Sequence, residues 1–377
     1  MAEEAERPEP DQVGDLPHPR ATLALHGQAE AEAAFLRAWQ VGRLHHAWLL
    51  TGPRGVGKAT LAYRIARMRL AHDDGDGMFG TPPPPETLDL PDDHPVTRRI
   101  AAGGEPRLAA VRRSYDAKTG KLNTVINVGD IRKLKNFFQM SAADGGWRVA
   151  VVDPAEEMNP AAANALLKLL EEPPARSLLL LISHAPARLL PTIRSRCRVL
   201  KLGALDANAL SAALTGAGVD KGDQAAVLEV LSGGSAGEAA RLAGQGGPQL
   251  YARLTRLIAG APGMDRREMT ALAQACAGRD AAETYDLTTR LLDFLLGRLA
   301  RSGVLGPPAR EAAPSEAAML ARLCPDAAAA RVWADLLAQI QSRIARGRLV
   351  NLDPAGVMLD TFVSIDAAAR KTRTRAA

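Results

Sequence analysis

One stretch narrows the possible folds of this chain more than any other: AWLLTGPRGVGKATLAYRIARMRLAH, Ala47 to His72. A short apolar run feeds a GxxxxGK loop carrying Gly52, Gly55, Gly57 and Lys58, and the residues after it repeat Leu61, Ile65 and Met68 at helical spacing. Strand, glycine loop and helix in that order form a cradle for phosphate. The loop amides converge on an anion and the helix N-terminus adds partial positive charge. An α/β fold built on a parallel sheet is therefore expected. Gly52, Pro53, Arg54, Gly55, Val56, Gly57, Lys58, Ala59 and Thr60 are the candidate nucleotide-binding residues. Position 59 breaks the pattern, because Ala59 stands where a Ser or Thr hydroxyl would hold magnesium. Thr60 carries a hydroxyl, but one helical step turns it by about 100° away from that ion. The expectation is a degenerate site for ATP with Mg2+, the metal held weakly.

Further along, WRVAVVD ends in Asp153, a carboxylate at the close of a central parallel strand and so positioned to hold magnesium through water. The next residue is Pro154, where a self-sufficient ATPase wants a second carboxylate to orient the attacking water; Glu156 and Glu157 follow without evident geometry for that task. VINV reads as a short strand, with a helix beginning near Asp130. Asn159 and Pro160 read as N-cap and first position of another helix, which turns Ala163, Leu166, Leu167 and Leu170 inward and stops at Pro173 and Pro174. SLLLLIS and CRVLKL are two more strands. Between them, IRSRCR sets Arg194, Arg196 and Arg198 at period two, which in an extended segment gives one basic face. That face is either a solvated edge or an arginine presented across a subunit boundary to a phosphate.

A chain of 377 residues exceeds one core, and its composition changes along its length. The acidic, proline-rich start predicts a disordered tail over 1–20. An α/β domain over 21–204 follows, opening with a helix that sets Ala33, Leu36 and Trp39 or Gln40 at helical spacing and interrupted by an irregular surface insertion over 73–123. Short helices punctuated by glycine fill 205–246, and longer ones fill 247–377. In these, Leu287, Leu291 and Leu295 form one stripe, and Val332, Leu336, Ile340 and Ile344 another. The net charge of +5 permits an acidic partner, whereas 4% aromatic residues argue against a base-stacking platform. Cys197, Cys276 and Cys324 are too scattered for a zinc ribbon or disulfide framework, which suits a reducing cytoplasm. No apolar run approaches the roughly 20 residues needed to span a bilayer.

The blocks GRLHHAWLLTGPRGVGKAT, VVDPAEEMNPAAANALLKLLEEPP and LPTIRSRC, taken in order, resemble the bacterial clamp-loader branch of the AAA+ proteins across most of the first 200 residues. VNLDPAGVMLDTF resembles, more weakly, the last helix of that family's collar domain. The resemblance implies an AAA+ P-loop domain, a small helical lid over 205–246 and an all-helical collar over 247–377 that builds a five-membered ring. The implied partners are ATPase motor subunits of the tau/gamma kind, a delta subunit, a sliding clamp, and primed DNA held through its phosphates. It also implies that Arg196 reaches ATP on an adjacent motor subunit, as an arginine finger in trans, and that Ser183 takes the place of the polar sensor residue. Departures from the family pattern matter as much. Motor subunits carry Asp-Glu where Asp153-Pro154 stands, and an arginine where the GGSAGEA segment has Gly237. The insertion lacks the four cysteines of the family's zinc module, so no zinc is expected. A subunit of a polymerase holoenzyme with little or no ATP hydrolysis of its own fits these features. The alternatives are a self-contained P-loop ATPase or phosphotransferase, and the motor subunit of the same complex.

Overall fold

Runs such as SLLLLIS have no polar side, so a strand built from them must be covered on both faces. The computed structural model describes residues 9–12, 16–72, 83–116, 120–139, 146–219, 222–278 and 281–376. The chain divides into two compact units, Met1–Val219 with Gly234–Glu238, and Asp220–Gly233 with Ala239–Ala377.

In the first unit the elements run α1 (Ala29–Gln40), β1 (Ala47–Thr51), α2 (Lys58–Ala71), α3 (Pro95–Ala101), β2 (Leu108–Val111), β3 (Tyr115–Asp116), β4 (Lys121–Leu122), α4 (Val128–Gln139), β5 (Arg148–Val152), α5 (Pro160–Glu171), β6 (Ser177–Ser183), α6 (Pro191–Ser195), β7 (Arg198–Lys201) and α7 (Ala207–Gly216). Five strands form one parallel sheet in the order β2-β5-β6-β1-β7, with Leu49 paired to Leu181 on one side and Val199 on the other. Period-two alternation splits these doubly buried strands between two cores. Trp48, Leu50, Leu178, Leu180 and Ile182 pack with α1 and α2, while Leu49, Leu179 and Leu181 pack with α4, α5 and α6. Because β1 lies between β6 and β7, strand order reverses there and opens a crevice at the carboxyl ends, where the glycine loop follows β1.

Helix α2 is buried nearly all round, arginines included. Arg64 bonds Glu32 at 2.7 Å and Asp89 at 2.6 Å, and Arg69 lies 4.5 and 4.2 Å from the ring centres of Trp39 and Trp147. The Asn159 cap forms as expected, its side chain accepting from Ala162 N at 2.8 Å.

Several expectations are corrected. The region 73–123 is not wholly a surface insertion: β2 pairs with β5 in the main sheet, and Leu88, Val96 and Ile100 enter the core beside α2. Its residues 73–82 and 117–119 lie outside the described residues. VINV forms no strand; Ile126 makes an isolated bridge to Met158 and α4 begins at Val128. Within the expected tail, 9–12 and 16–20 are tied down by opposite charges. Arg20 grips Glu9 at 2.8 Å, Arg112 holds Asp11 at 2.6 Å, and His18 meets Glu9 at 2.7 Å; residues 1–8 and 13–15 lie outside the described residues.

The second unit holds α8 (Ala225–Ser232), most of α9 (Ala236–Gly244), α10 (Gly247–Ala259), α11 (Arg266–Ala275), α12 (Ala282–Leu305), α13 (Glu316–Leu323), α14 (Ala327–Leu349) and α15 (Pro354–Ala376). Leu287, Leu291 and Leu295 are buried as the pattern requires, as are Leu336, Ile340 and Ile344, with Trp333 beside them and Val332 only partly covered. Glu316 is fully buried; Arg298 at 2.8 Å, the Tyr251 hydroxyl and the Ala312 amide at 2.7 Å satisfy its carboxylate. Among the described residues no helix is long and apolar enough to cross a membrane.

Candidate functional site

The loop after β1 turns through Gly52, Gly55 and Gly57, all at positive φ, and its last glycine is the N-cap of α2. Only glycine serves at Gly55, where φ is +70° and an added Cβ would overlap Ser235 Oγ and crowd Gly237 N. The Gly55 carbonyl accepts from Gly237 N at 3.1 Å, so the 234–238 segment closes against the loop. Gly55→Val is expected to destabilise the first unit by about 2–4 kcal/mol, through strain at positive φ plus overpacking. Urea unfolding checks this, and a loss under about 0.5 kcal/mol would mean that the segment yields freely.

Val56 is buried beneath the loop, Pro53 and Arg54 are exposed above it, and Thr60 is half-buried in the first turn of α2. Lys58 is only 3% exposed, and its Nζ donates to the carbonyls of Gly52, at 2.7 Å, and Pro53. Burial pushes its amine down to about 8, against the opposing pull of Asp153 and Glu156. Asp153 follows β5, its amide donating to Val111 O at 2.9 Å. Burial, reinforced by the charge of Asp11 and opposed by Lys58, raises its carboxyl to about 7.

The loop beyond Pro154 supplies two groups that periodicity and spacing did not mark as functional. Glu156 Oε1 accepts from the amides of His184 at 2.8 Å and Ala185 at 3.1 Å, tying the end of β5 to the end of β6. Burial raises the Glu156 carboxyl, but its own amide and that of His184 outweigh it and hold the group below its ordinary range. Burial, then the Lys58 charge, pushes the His184 imidazole down to about 4, so it is neutral. Three buried polar atoms gather here without a protein hydrogen-bond partner: Glu156 Oε2, His184 Nδ1 and the Oγ of fully buried Ser183. Ser183 Oγ lies near enough to favour the Glu156 charge, though not at bonding geometry. Glu157 turns elsewhere, meeting Arg113 at 2.9 Å and Arg54 at 3.5 Å. The only signal of Glu156 in the sequence was a carboxylate three residues past Asp153, and its partners lie 28 and 29 residues away.

These residues do not fit magnesium. The Ala59 methyl packs against the core where a hydroxyl would be needed. The phosphate cradle keeps its glycines, but the Lys58 amine is already engaged by the loop carbonyls.

At the arginine corner the structure departs from the expected extended run. Arg194 belongs to helix α6, Arg196 is its C-cap, and Arg198 opens β7 with its guanidinium 5.1 Å from the ring centre of Trp48. The three therefore share no common face. Arg196 Nη2 lies 2.9 Å from Glu171 Oε1, and its Nη1 donates to Thr192 O at 3.1 Å; the side chain remains 36% exposed.

A five-stranded parallel sheet reversing order at β1, with a glycine loop, a strand-end carboxylate and the buried Ser183 at its carboxyl edge, defines an α/β domain of the P-loop class. Residues 27–206 match the family model described as DNA polymerase III, delta subunit. The chain is 38% identical over 203 residues to the DNA polymerase III subunit delta' of Pseudomonas aeruginosa, covering 53% of this chain and 56% of the relative. It is 35% identical over 157 residues to the delta' subunit of Yersinia pestis, 41% of each, and 32% identical over 188 residues to the tau subunit of Salmonella typhimurium, 50% of this chain and 26% of the relative. The chain thus spans about half the length, or less, of these curated relatives. A solved structure of a DNA polymerase III gamma subunit-related protein from Thermotoga maritima covers 89% of this chain and 99% of its own, at 16% identity and TM-score 0.40.

Proposed function

We propose that the chain is the delta-prime-type subunit of a bacterial clamp loader, a stator that supports ATP-driven placement of a sliding clamp on primed DNA. One contrast carries this reading. The chain's own site has lost the metal-side hydroxyl at Ala59 and the second carboxylate at Pro154, whereas Arg196 stays at the surface with an exposed guanidinium. A phosphoryl group in transfer spreads negative charge over its oxygens, and a guanidinium from another chain stabilises that charge strongly. Arg196 is that donor, serving nucleotide bound by a neighbouring subunit of the tau/gamma kind.

The similarity to subunits named delta' and tau supports a place beside such motor subunits and a delta subunit in a ring. Residues 205–246 then act as the lid and 247–377 as the collar, the sliding clamp is a further partner, and DNA is held sequence-independently through its phosphates. The work takes place in the cytoplasm.

Steady-state ATP turnover by the purified chain tests the division of labour. The expected rate is far below about 1 per second, the low end for phosphoryl-transfer enzymes. A rate at that level would favour a self-contained ATPase or phosphotransferase, or a motor subunit working without the usual glutamate.

A further inference from the structure

Glu171 is the last residue of α5, where a carboxylate meets the negative end of the helix dipole and gains nothing for its own helix. Its Oε1 instead lies 2.9 Å from Arg196 Nη2, while Arg196 Nη1 is occupied by Thr192 O at 3.1 Å. The guanidinium is thus held from two sides, by α5 and by α6. Both helices are anchored in one core, through Leu166, Leu169 and Leu170 on α5 and Ile193 on α6. The hold is rigid in its foundations and weak at its tip. Glu171 is 49% and Arg196 36% exposed, and a single-oxygen pair so open to water is readily exchanged.

We infer that Glu171 is a positioning residue for Arg196, keeping the guanidinium oriented to meet a phosphoryl oxygen on a partner subunit and yielding it when that more highly charged group arrives. The inference rests on the trans-acting reading of Arg196. An arginine side chain otherwise samples many rotamers, and each one frozen beforehand need not be frozen at the moment of transfer. The competing explanation is a staple between α5 and α6 that matters only to stability.

A double-mutant cycle in the complex, reconstituted from the full chain with its motor and delta subunits, sliding clamp and primed DNA, separates these ideas. Glu171→Gln is expected to lower kcat for ATP about three- to fivefold with KM unchanged, the effect of losing one weak exposed contact. Added to Arg196→Ala, it is expected to change nothing further. Three results would overturn the positioning role: an unchanged kcat in Glu171→Gln, with or without a lowered Tm; a raised kcat; or the same loss persisting in the Arg196→Ala background. An Arg196→Ala complex with full activity would instead remove the trans-acting reading beneath the inference.

Discussion

Replacing Arg196 by alanine is expected to lower the partner-dependent ATPase of the assembled complex by about a thousandfold, or about 4 kcal/mol of transition-state stabilisation, with the chain still folded and assembled. Folding is spared because the side chain is 36% exposed and its contacts, to Glu171 and Thr192 O, are surface contacts of the weak kind. Activity is lost because the charge that develops on a transferring phosphoryl group meets no substitute donor. Arg194, one helical position pair earlier, and Arg198, against Trp48, project from different backbone settings and do not stand in for it. Arg196→Lys is expected to rescue little, since an ammonium cannot make the planar, two-pronged contact of a guanidinium. ATP hydrolysis by the reconstituted complex, with gel filtration to confirm assembly, is the measurement. Wild-type turnover in the alanine variant would reduce Arg196 to a surface charge.

The extent to which this molecule was legible beforehand follows the range of the interactions involved. Strand β1, the glycine loop and α2 are contiguous, so their pattern showed in the sequence, as did the all-apolar β6 and the Asn159 cap. Strand β2 was hidden because LAAV is short and weakly apolar; it becomes a strand only when β5, about forty residues later, offers an edge. The N-terminal segment looked too acidic to fold alone, and it does not fold alone: Arg112 and Arg20 supply the charge that its carboxylates need. VINV shows the opposite error, a strand propensity that found only one bridge, at Ile126. At the site, Lys58, Asp153 and Arg196 belong to motifs and were visible, although the geometry around Arg196 was misread, because PTIRS takes up a helical turn after Pro191. Glu156 and His184 were not visible, since their relation depends on β5 and β6 lying side by side.

Asp153→Asn is expected to stabilise the free chain at pH 7.5, and the gain is expected to shrink as the pH is lowered. The folded carboxyl titrates at about 7, well above the unfolded value near 3.9, so between those limits the folded state binds the extra proton. Its favourable contribution is therefore complete below the unfolded value and is lost as pH rises through about 7. Three units of separation correspond to at most ~4 kcal/mol, reduced in practice by the water that reaches this partly buried group. An amide of the same shape has no charge to desolvate and escapes that loss. Lys58 titrates near 8, so its cost to stability is constant below that value and changes with pH only from there upward, and the difference between variant and parent in urea denaturation between pH 4 and 7.5 reports the carboxyl. A variant less stable than the parent at pH 7.5, with the deficit growing toward alkaline pH, would show Asp153 to be a well-paired carboxylate fit to hold a cation. The expected sign says the reverse: up to near neutral pH, burial at this strand end favours the protonated carboxyl over the carboxylate.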